Sequence, residues 1–411
     1  MSDSASMTID DFRARCAAFL DEHAAPMHFT PQEDPRGAKV MDRTKAFQQA
    51  LADAGLAGVT YPAQFGGMGL GREYEVVWRE EAAKRPVMTA QLAISQGMCL
   101  PMLNEYGSDE QRAKYQEKLI RADEVWAQMF SEPGAGSDVA SLQMKAVRDG
   151  DEWILNGQKV WTTNAHLCDR AIVICRTDPE QPKHRGITMF IVDFDQPGVE
   201  IRQINQIDGG SRFNEVFFTD VRVPADDQLG PLNEGWRLAT AMLMYERVAI
   251  GTGMSGGIQH AEADRLISVA RRRGLLDDPT LRQDLMRLYS RETAKSLVAM
   301  QTRAAAQAGK TPGPGGSLGK LMGANIAAMK RELAPRIVGP GIAAWGSDEQ
   351  GVKDANWAKE SLSTFASGIA GGTNEIQRNI IGERVLGLPR EPSVDKDLPF
   401  KDLKVGTQSS G

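Results

Sequence analysis

The stretch Glu152-Trp153-Ile154-Leu155-Asn156-Gly157-Gln158-Lys159-Val160-Trp161-Thr162-Thr163-Asn164 decides the fold, because it departs from the helical spacing on either side. Its two runs, 152–155 and 159–162, are rich in apolar, β-branched and aromatic residues, as strands are. Asn156-Gly157 between them is a hairpin signal, since both residues tolerate the positive φ of a type I′ turn. Similar runs follow at 171–175, 187–192, 199–204 and 215–223. Residues 129–224 therefore read as an antiparallel β domain.

Outward from this segment the period changes. Before it, over residues 8–127, apolar positions such as Phe12, Cys16, Phe19 and Leu20 recur at helical spacing, and Asp10 and Asp11 suit a helix N-terminus. The helical zone breaks at Tyr61-Pro62-Ala63-Gln64-Phe65-Gly66-Gly67-Met68-Gly69-Leu70, a glycine-rich loop, and again at Tyr106-Gly107-Ser108-Asp109 ahead of a helix over 110–120. After Asn233-Glu234-Gly235 helical spacing returns, through 295–308 and 320–333 to a last helix at 374–385, with a Gly/Pro break at 310–316. The expected fold is α+β: an N-terminal helical domain (1–127), a middle antiparallel β domain (128–232), a C-terminal helical bundle (233–390) and a flexible polar tail (391–411).

Composition narrows the function classes. The 411 residues carry 48 Lys+Arg against 54 Asp+Glu, a net charge of −6, and are 41% hydrophobic. Such a chain is long enough for two or three real cores, and it has no basic excess that would make nucleic acid its main partner. The four cysteines, Cys16, Cys99, Cys168 and Cys175, form no CxxC pair, which argues against a zinc ribbon or a disulfide framework and for a reducing compartment. The polar, acidic N-terminus has no secretory pattern and no run reaches the length of a membrane span, so a cytoplasmic location is expected. His23, His28, His166, His184 and His260 show no ligand spacing, and no metal is expected.

Four places carry candidate chemistry, each with a plainer alternative. In Ser131-Glu132-Pro133-Gly134-Ala135-Gly136-Ser137-Asp138 two glycines let backbone amides approach a ligand, and Ser131 and Ser137 offer hydroxyls to a ring edge or phosphate; an ordinary Gly/Ser loop would look the same. In Lys159-Val160-Trp161-Thr162-Thr163-Asn164 an aromatic beside hydroxyls can lie against a flat ring, or simply fill a β core. Glu246 falls on a helical stripe with Ala239, Leu243 and Ile250, where an apolar residue is expected. A carboxylate desolvated there becomes a better base, whereas next to Arg247 it could be a structural ion pair. Gly368-Ile369-Ala370-Gly371-Gly372-Thr373-Asn374-Glu375 reads as a ligand-approaching loop that feeds a helix N-terminus, or as a simple helix cap.

Together these segments resemble the acyl-CoA dehydrogenase family. The resemblance runs to about residue 389. It rests on Tyr61-Pro62 with Phe65-Gly66-Gly67-Met68-Gly69-Leu70, on Phe130-Ser131-Glu132-Pro133-Gly134-Ala135-Gly136-Ser137-Asp138, on Trp161-Thr162-Thr163-Asn164 and on Gly372-Thr373-Asn374-Glu375-Ile376-Gln377-Arg378, in that order. It implies an FAD-dependent oxidoreductase of fatty-acid or lipid catabolism that converts an acyl-CoA thioester to the trans-2-enoyl-CoA: a carboxylate takes the α-proton and the β-hydrogen leaves as hydride to flavin N5. It also implies a homotetramer that passes electrons to an electron-transfer flavoprotein. Carried over by motif, Gln128, Phe130, Ser131 and Ser137 would line the flavin or the CoA entrance. Trp161 would pack on the isoalloxazine beside Thr162, with Thr163 reaching its N5 side. Thr373 and Glu375 would lie near the adenosine and pyrophosphate.

The base needs its own argument. Many members carry it in a Tyr-Glu-Gly-Thr stretch, which aligns with Ala370-Gly371-Gly372-Thr373, so Gly371 stands where that glutamate would be. The isovaleryl and long-chain branches carry it on the preceding helix in a Glu-Arg pair, which matches Tyr245-Glu246-Arg247. The resemblance thus makes Glu246 the base, gives Gly371 the thioester carbonyl and room for a bulky acyl chain, and puts Tyr245 and Arg247 near the substrate. Arg272, in Arg271-Arg272-Arg273-Gly274-Leu275, matches the pyrophosphate-binding arginine. Met244, Leu275 and Pro340 depart from the family pattern and leave open an unusual acyl group or a heteromer. The competing functions are a partner subunit completing a FAD site in a heteromer, and a relative using O2 or a non-redox elimination.

Overall fold

The computed structural model describes residues 7–24, 37–85, 87, 90–251, 258, 260–307, 315–343, 357–390, 392 and 396–403. Two compact units divide the chain, one of residues 1–205, 211–245 and 393–411, the other of 206–210 and 246–392.

Among the described residues of the first unit, five α-helices precede a sheet. Helices α1 (Ile9–His23) and α5 (Asp109–Arg121) each start at a capping box, in which the Thr8 or Ser108 side chain and the Asp11 or Gln111 side chain satisfy each other's backbone amides. Between them lie α2 (Ala38–Asp53), α3 (Arg72–Ala82) and α4 (Leu100–Tyr106). Phe12, Cys16, Phe19 and Leu20 are buried, as their spacing predicts, and Phe12 meets Tyr74 edge-on at 5.3 Å.

The sheet contains β1 (Trp126–Met129), β2 (Lys145–Asp149), β3 (Glu152–Thr163), β4 (Arg170–Arg176), β5 (Ile187–Asp193), β6 (Val199–Ile204), β7 (Phe213–Pro224) and β8 (Gln228–Leu229). Its order is β6-β7-β3-β2-β4-β5-β8, with β1 on β4. The ladders are antiparallel as expected, except that β1 and the first residue of β2 pair with β4 in parallel. Strand β4 is buried on both faces. Ile172 and Ile174 join the helical core, together with Leu238, Ala239 and Met242 of α6 (Gly235–Gly251), while Ala171, Val173 and Cys175 join a second core with Trp153, Leu155 and Val216.

Two expectations are corrected here. Asn156-Gly157 is not a hairpin turn: β3 runs straight through it, and the hairpin from β2 turns at Gly150-Asp151. The pair instead forms a bulge against β7, where the Asn156 carboxamide donates to Asp220 Oδ1 and accepts from the Asp220 amide, both at 2.9 Å. Gly157 takes φ +149°, and a Cβ there would stand 2.8 Å from the Met144 side chain, so the glycine serves strand packing. The described part of the tail, residues 396–403, is also less free than expected. Phe400 is buried, its amide donates to the Gln181 carbonyl at 2.8 Å and that of Lys401 to the Pro179 carbonyl at 3.0 Å.

In the second unit, α7 (Ala261–Arg272), α8 (Pro279–Gln307), α9 (Gly315–Val338) and α10 (Trp357–Ser363) surround Leu266, Leu285, Leu288, Leu333 and Trp357, and α11 (Asn374–Ile380) follows in the chain. Arg265 and Lys330 converge on Glu360 at 2.6 and 2.9 Å, and the Glu292 carboxylate accepts the amides of Glu262 and Ala263 at the start of α7. Of the expected break at 310–316, residues 310–314 lie outside the described residues and Gly315 opens α9.

Candidate flavin and substrate site

Strand β3 ends in a second bulge, between Lys159 and Thr162, that turns Trp161 outward. The indole is 59% exposed, its backbone takes φ +63°, and its one ring neighbour among the described residues is Phe213, edge-on at 6.0 Å. A bulky residue in the left-handed region costs of order 1–3 kcal/mol, and exposing its ring forgoes burial as well. Thr163, two residues on, is half-buried, and its hydroxyl has no partner among the described residues. Thr162 faces the other way, is 2% exposed, and its hydroxyl is also unpartnered.

The bulge is braced from behind. The Asn214 carboxamide donates to the Thr162 carbonyl at 2.9 Å and accepts at Oδ1 from His166 Nδ1 at 2.9 Å, while the Asn164 amide donates to the Arg212 carbonyl at 2.7 Å.

The Ser131 loop is fixed by a pair that the sequence reading quoted without assigning a role. Lys159 is fully buried, and its ammonium donates to Glu132 Oε1 at 2.9 Å and to the Phe130 carbonyl at 3.1 Å. Glu132 also accepts the Gln143 and Met144 amides, at 2.6 and 3.0 Å, and the Val160 amide donates to the Ser131 carbonyl at 3.0 Å. A lysine inside an apolar strand run was the available signal, because a buried ammonium needs a carboxylate. The structure thus brings Phe130, Ser131, Trp161, Thr162 and Thr163 together at the end of β3. Gln128 lies on β1 in register with Ile172, and Ser137 is exposed at the loop's far side.

Helix α6 runs unbroken through Glu246 and Arg247, whose side chains lie outside the described residues. Tyr245 before them donates its hydroxyl to the Glu105 carboxylate, and burial followed by that hydrogen bond pushes its pKa well up.

In the second unit Gly371 and Gly372 take φ +65° and +84°, an arrangement only glycine adopts without strain. Thr373 caps α11, its hydroxyl accepting the Ile376 amide at 3.3 Å. A hydrogen bond from its own backbone amide, and a lesser one from Thr373, hold the exposed Glu375 carboxylate below its ordinary pKa. Gln377 donates to the Gly371 carbonyl at 2.9 Å. Arg272 ends α7 and donates to Ser268 Oγ at 3.0 Å.

An outward indole held at a strained φ, with an unpartnered threonine hydroxyl two residues on, fits a planar cofactor ring. Comparison with known proteins supplies the class, that of the FAD-dependent oxidoreductases. The chain is a member of the acyl-CoA dehydrogenase family: residues 6–123, 127–221 and 233–386 match that family's N-terminal, middle and C-terminal domains. It is 37% identical over 391 residues to acyl-CoA dehydrogenase IpdE1 of Mycobacterium tuberculosis (strain ATCC 25618 / H37Rv), covering 93% of this chain and 98% of the relative. Among solved structures it resembles the Tcur3481-Tcur3483 steroid acyl-CoA dehydrogenase, with TM-score 0.76, 28% identity, and 95% and 100% of the two chains covered. It also resembles a chain of the ChsE4-ChsE5 complex from Mycobacterium tuberculosis, with TM-score 0.73, 25% identity and the same coverage. Among the described residues no helix is long and apolar enough to cross a membrane.

Proposed function

We propose that this acyl-CoA dehydrogenase introduces the trans-2 double bond into a bulky, branched or ring-bearing acyl-CoA, with Glu246 as the base. Bound FAD supplies the acceptor for the hydride that leaves the β-carbon. The Glu246 carboxylate takes the α-proton, and as the two C–H bonds break the new C=C bond forms. The Gly371 amide holds the thioester carbonyl, where negative charge develops as the proton leaves. Phe130, Ser131 and Trp161, with Thr162 and Thr163, orient the isoalloxazine, and Gln128 and Ser137 border it and the CoA entrance. Tyr245 and Arg247 line the substrate, while Arg272, Thr373 and Glu375 hold the adenosine-pyrophosphate end. An electron-transfer flavoprotein is the proposed acceptor, a homotetramer the proposed assembly, and the cytoplasm the proposed location.

The observation that carries the assignment of the base is that position 371 is a glycine, at φ +65°, and so has no carboxylate to offer. That favours the carboxylate on α6. The missing side chain also leaves room for a large acyl group, in keeping with the steroid enzyme among the relatives. The test is anaerobic bleaching of the flavin by straight, branched and polycyclic acyl-CoAs, with Glu246→Gln alongside. The variant should keep its flavin and bleach about 10²–10⁴-fold more slowly; undiminished bleaching refutes the assignment. Because two solved relatives are named as two-chain assemblies, the second reading is a partner subunit in a heteromer. Protein that holds no FAD when purified alone would favour it.

A further inference from the structure

Arg176 ends β4 only 4% exposed, and among the described residues no carboxylate lies within ion-pair distance. Its guanidinium instead donates to three carbonyls: Lys183 at 3.0 Å and Arg185 at 2.7 Å in the β4–β5 connection, and Ala140 at 2.7 Å in the loop that carries Ser137. The same connection ties that loop a second time, through Lys183 Nζ to Asp138 Oδ2 at 3.0 Å. Burial draws the pKa of Arg176 down to about 10, outweighing the opposite pull of the Glu132 and Asp178 charges, as for a cation stripped of water and bonded to carbonyls.

The C-terminal segment completes its surroundings. The Phe400 ring lies 3.7 Å from the guanidinium carbon, and 6% of the residue is exposed. Around it Pro399 bridges Pro182, the Phe400 and Lys401 amides donate to the Gln181 and Pro179 carbonyls, and Lys401 pairs with Glu180 at 2.6 Å. An aromatic face is attractive to a guanidinium and excludes the water that would compete for its donors.

We infer that residues 399–401 are a strap whose Phe400 seats Arg176 as a positioning residue for the 137–141 loop, and through it for acyl-CoA binding. The second half rests on the proposed placement of Ser137 at the CoA entrance. Loss of the ring admits water to the guanidinium, the Ala140 carbonyl loses its donor, and of the two side-chain ties from the β4–β5 side to residues 137–141 the Lys183–Asp138 contact is left. The reacting carbons are untouched, so substrate affinity suffers and the chemical step does not.

The test compares wild type with Phe400→Leu, which keeps an apolar side chain without the ring face, Phe400→Trp, which restores it, and Arg176→Lys, which keeps the charge and loses the fork. Amide hydrogen exchange on the flavin-loaded protein needs no substrate: exchange at residues 140–144 should rise about fivefold or more in Phe400→Leu and Arg176→Lys and return in Phe400→Trp. With an acyl-CoA that bleaches the wild-type flavin, KM should rise by a similar factor while kcat stays within about twofold. Unchanged exchange in both destabilised variants overturns the strap, and faster exchange with unchanged KM overturns its role in binding. If no acyl-CoA bleaches wild type, the proposed function fails while the exchange result still decides whether the strap positions the loop.

Discussion

Replacing Lys159 by methionine removes an ammonium while keeping most of its apolar stem. Left behind are a Glu132 carboxylate that is 6% exposed and a Phe130 carbonyl without its donor. Breaking a buried pair by deleting one partner costs about 3–5 kcal/mol. The two amides that Glu132 still accepts, at 2.6 and 3.0 Å, place this case at the low end, near 3 kcal/mol. For a unit of this size that displaces the urea midpoint by roughly 1 M. The measurement is urea unfolding of the flavin-free protein followed by tryptophan fluorescence, repeated on Glu132→Gln and on the double variant. Because Glu132→Gln removes the stranded charge, the double variant should recover about 1–2 kcal/mol relative to Lys159→Met alone. A loss under about 1 kcal/mol in Lys159→Met, or a double variant less stable than the single, would refute the view that this pair holds the Ser131 loop.

Two further outcomes are expected. Trp161→Gly should stabilise the flavin-free protein by about 1 kcal/mol by relieving the positive φ, and weaken FAD binding about tenfold or more; thermal melts and FAD titration read the two effects, and lower stability counts against the strain. Glu81 is held down to about 2 by Lys84, then by Arg13 and Arg85. A folded-state pKa below the ordinary 4.5 stabilises above that value, and the contribution fades as pH falls from about 4.5 toward 2. Glu81→Gln should therefore flatten that acid limb in a series of urea midpoints, and an unchanged limb would show that the cluster contributes nothing.

Periodicity made the helix–sheet–helix order legible, because burial on one face leaves its spacing in residues such as Phe12, Cys16 and Phe19. Short-range signals failed where a distant strand supplied the partner. Asn156-Gly157 has the chemistry of a turn, yet Asp220 sits 64 positions away with its own donor and acceptor for Asn156, and the pair became a bulge. Strand β1 went unseen because its parallel ladder is set by β4 rather than by a neighbouring turn. At the site, Trp161 stood out as a large aromatic among hydroxyls, but its outward, strained pose depends on the β7 register. Lys159, Glu132 and Arg176 gained meaning only once folding brought their partners within reach, and Phe400 was one aromatic in a polar tail.

The contact between Arg176 and Phe400 also has a timing. Translation at about 5–20 residues per second puts roughly ten to forty-five seconds between the two side chains leaving the peptidyl-transferase centre. The sheet can assemble early, but its guanidinium hub stays uncovered until Phe400 has been added. A nascent or truncated product ending before Pro399 would therefore carry a complete sheet whose 137–141 loop lacks the covered guanidinium beneath it.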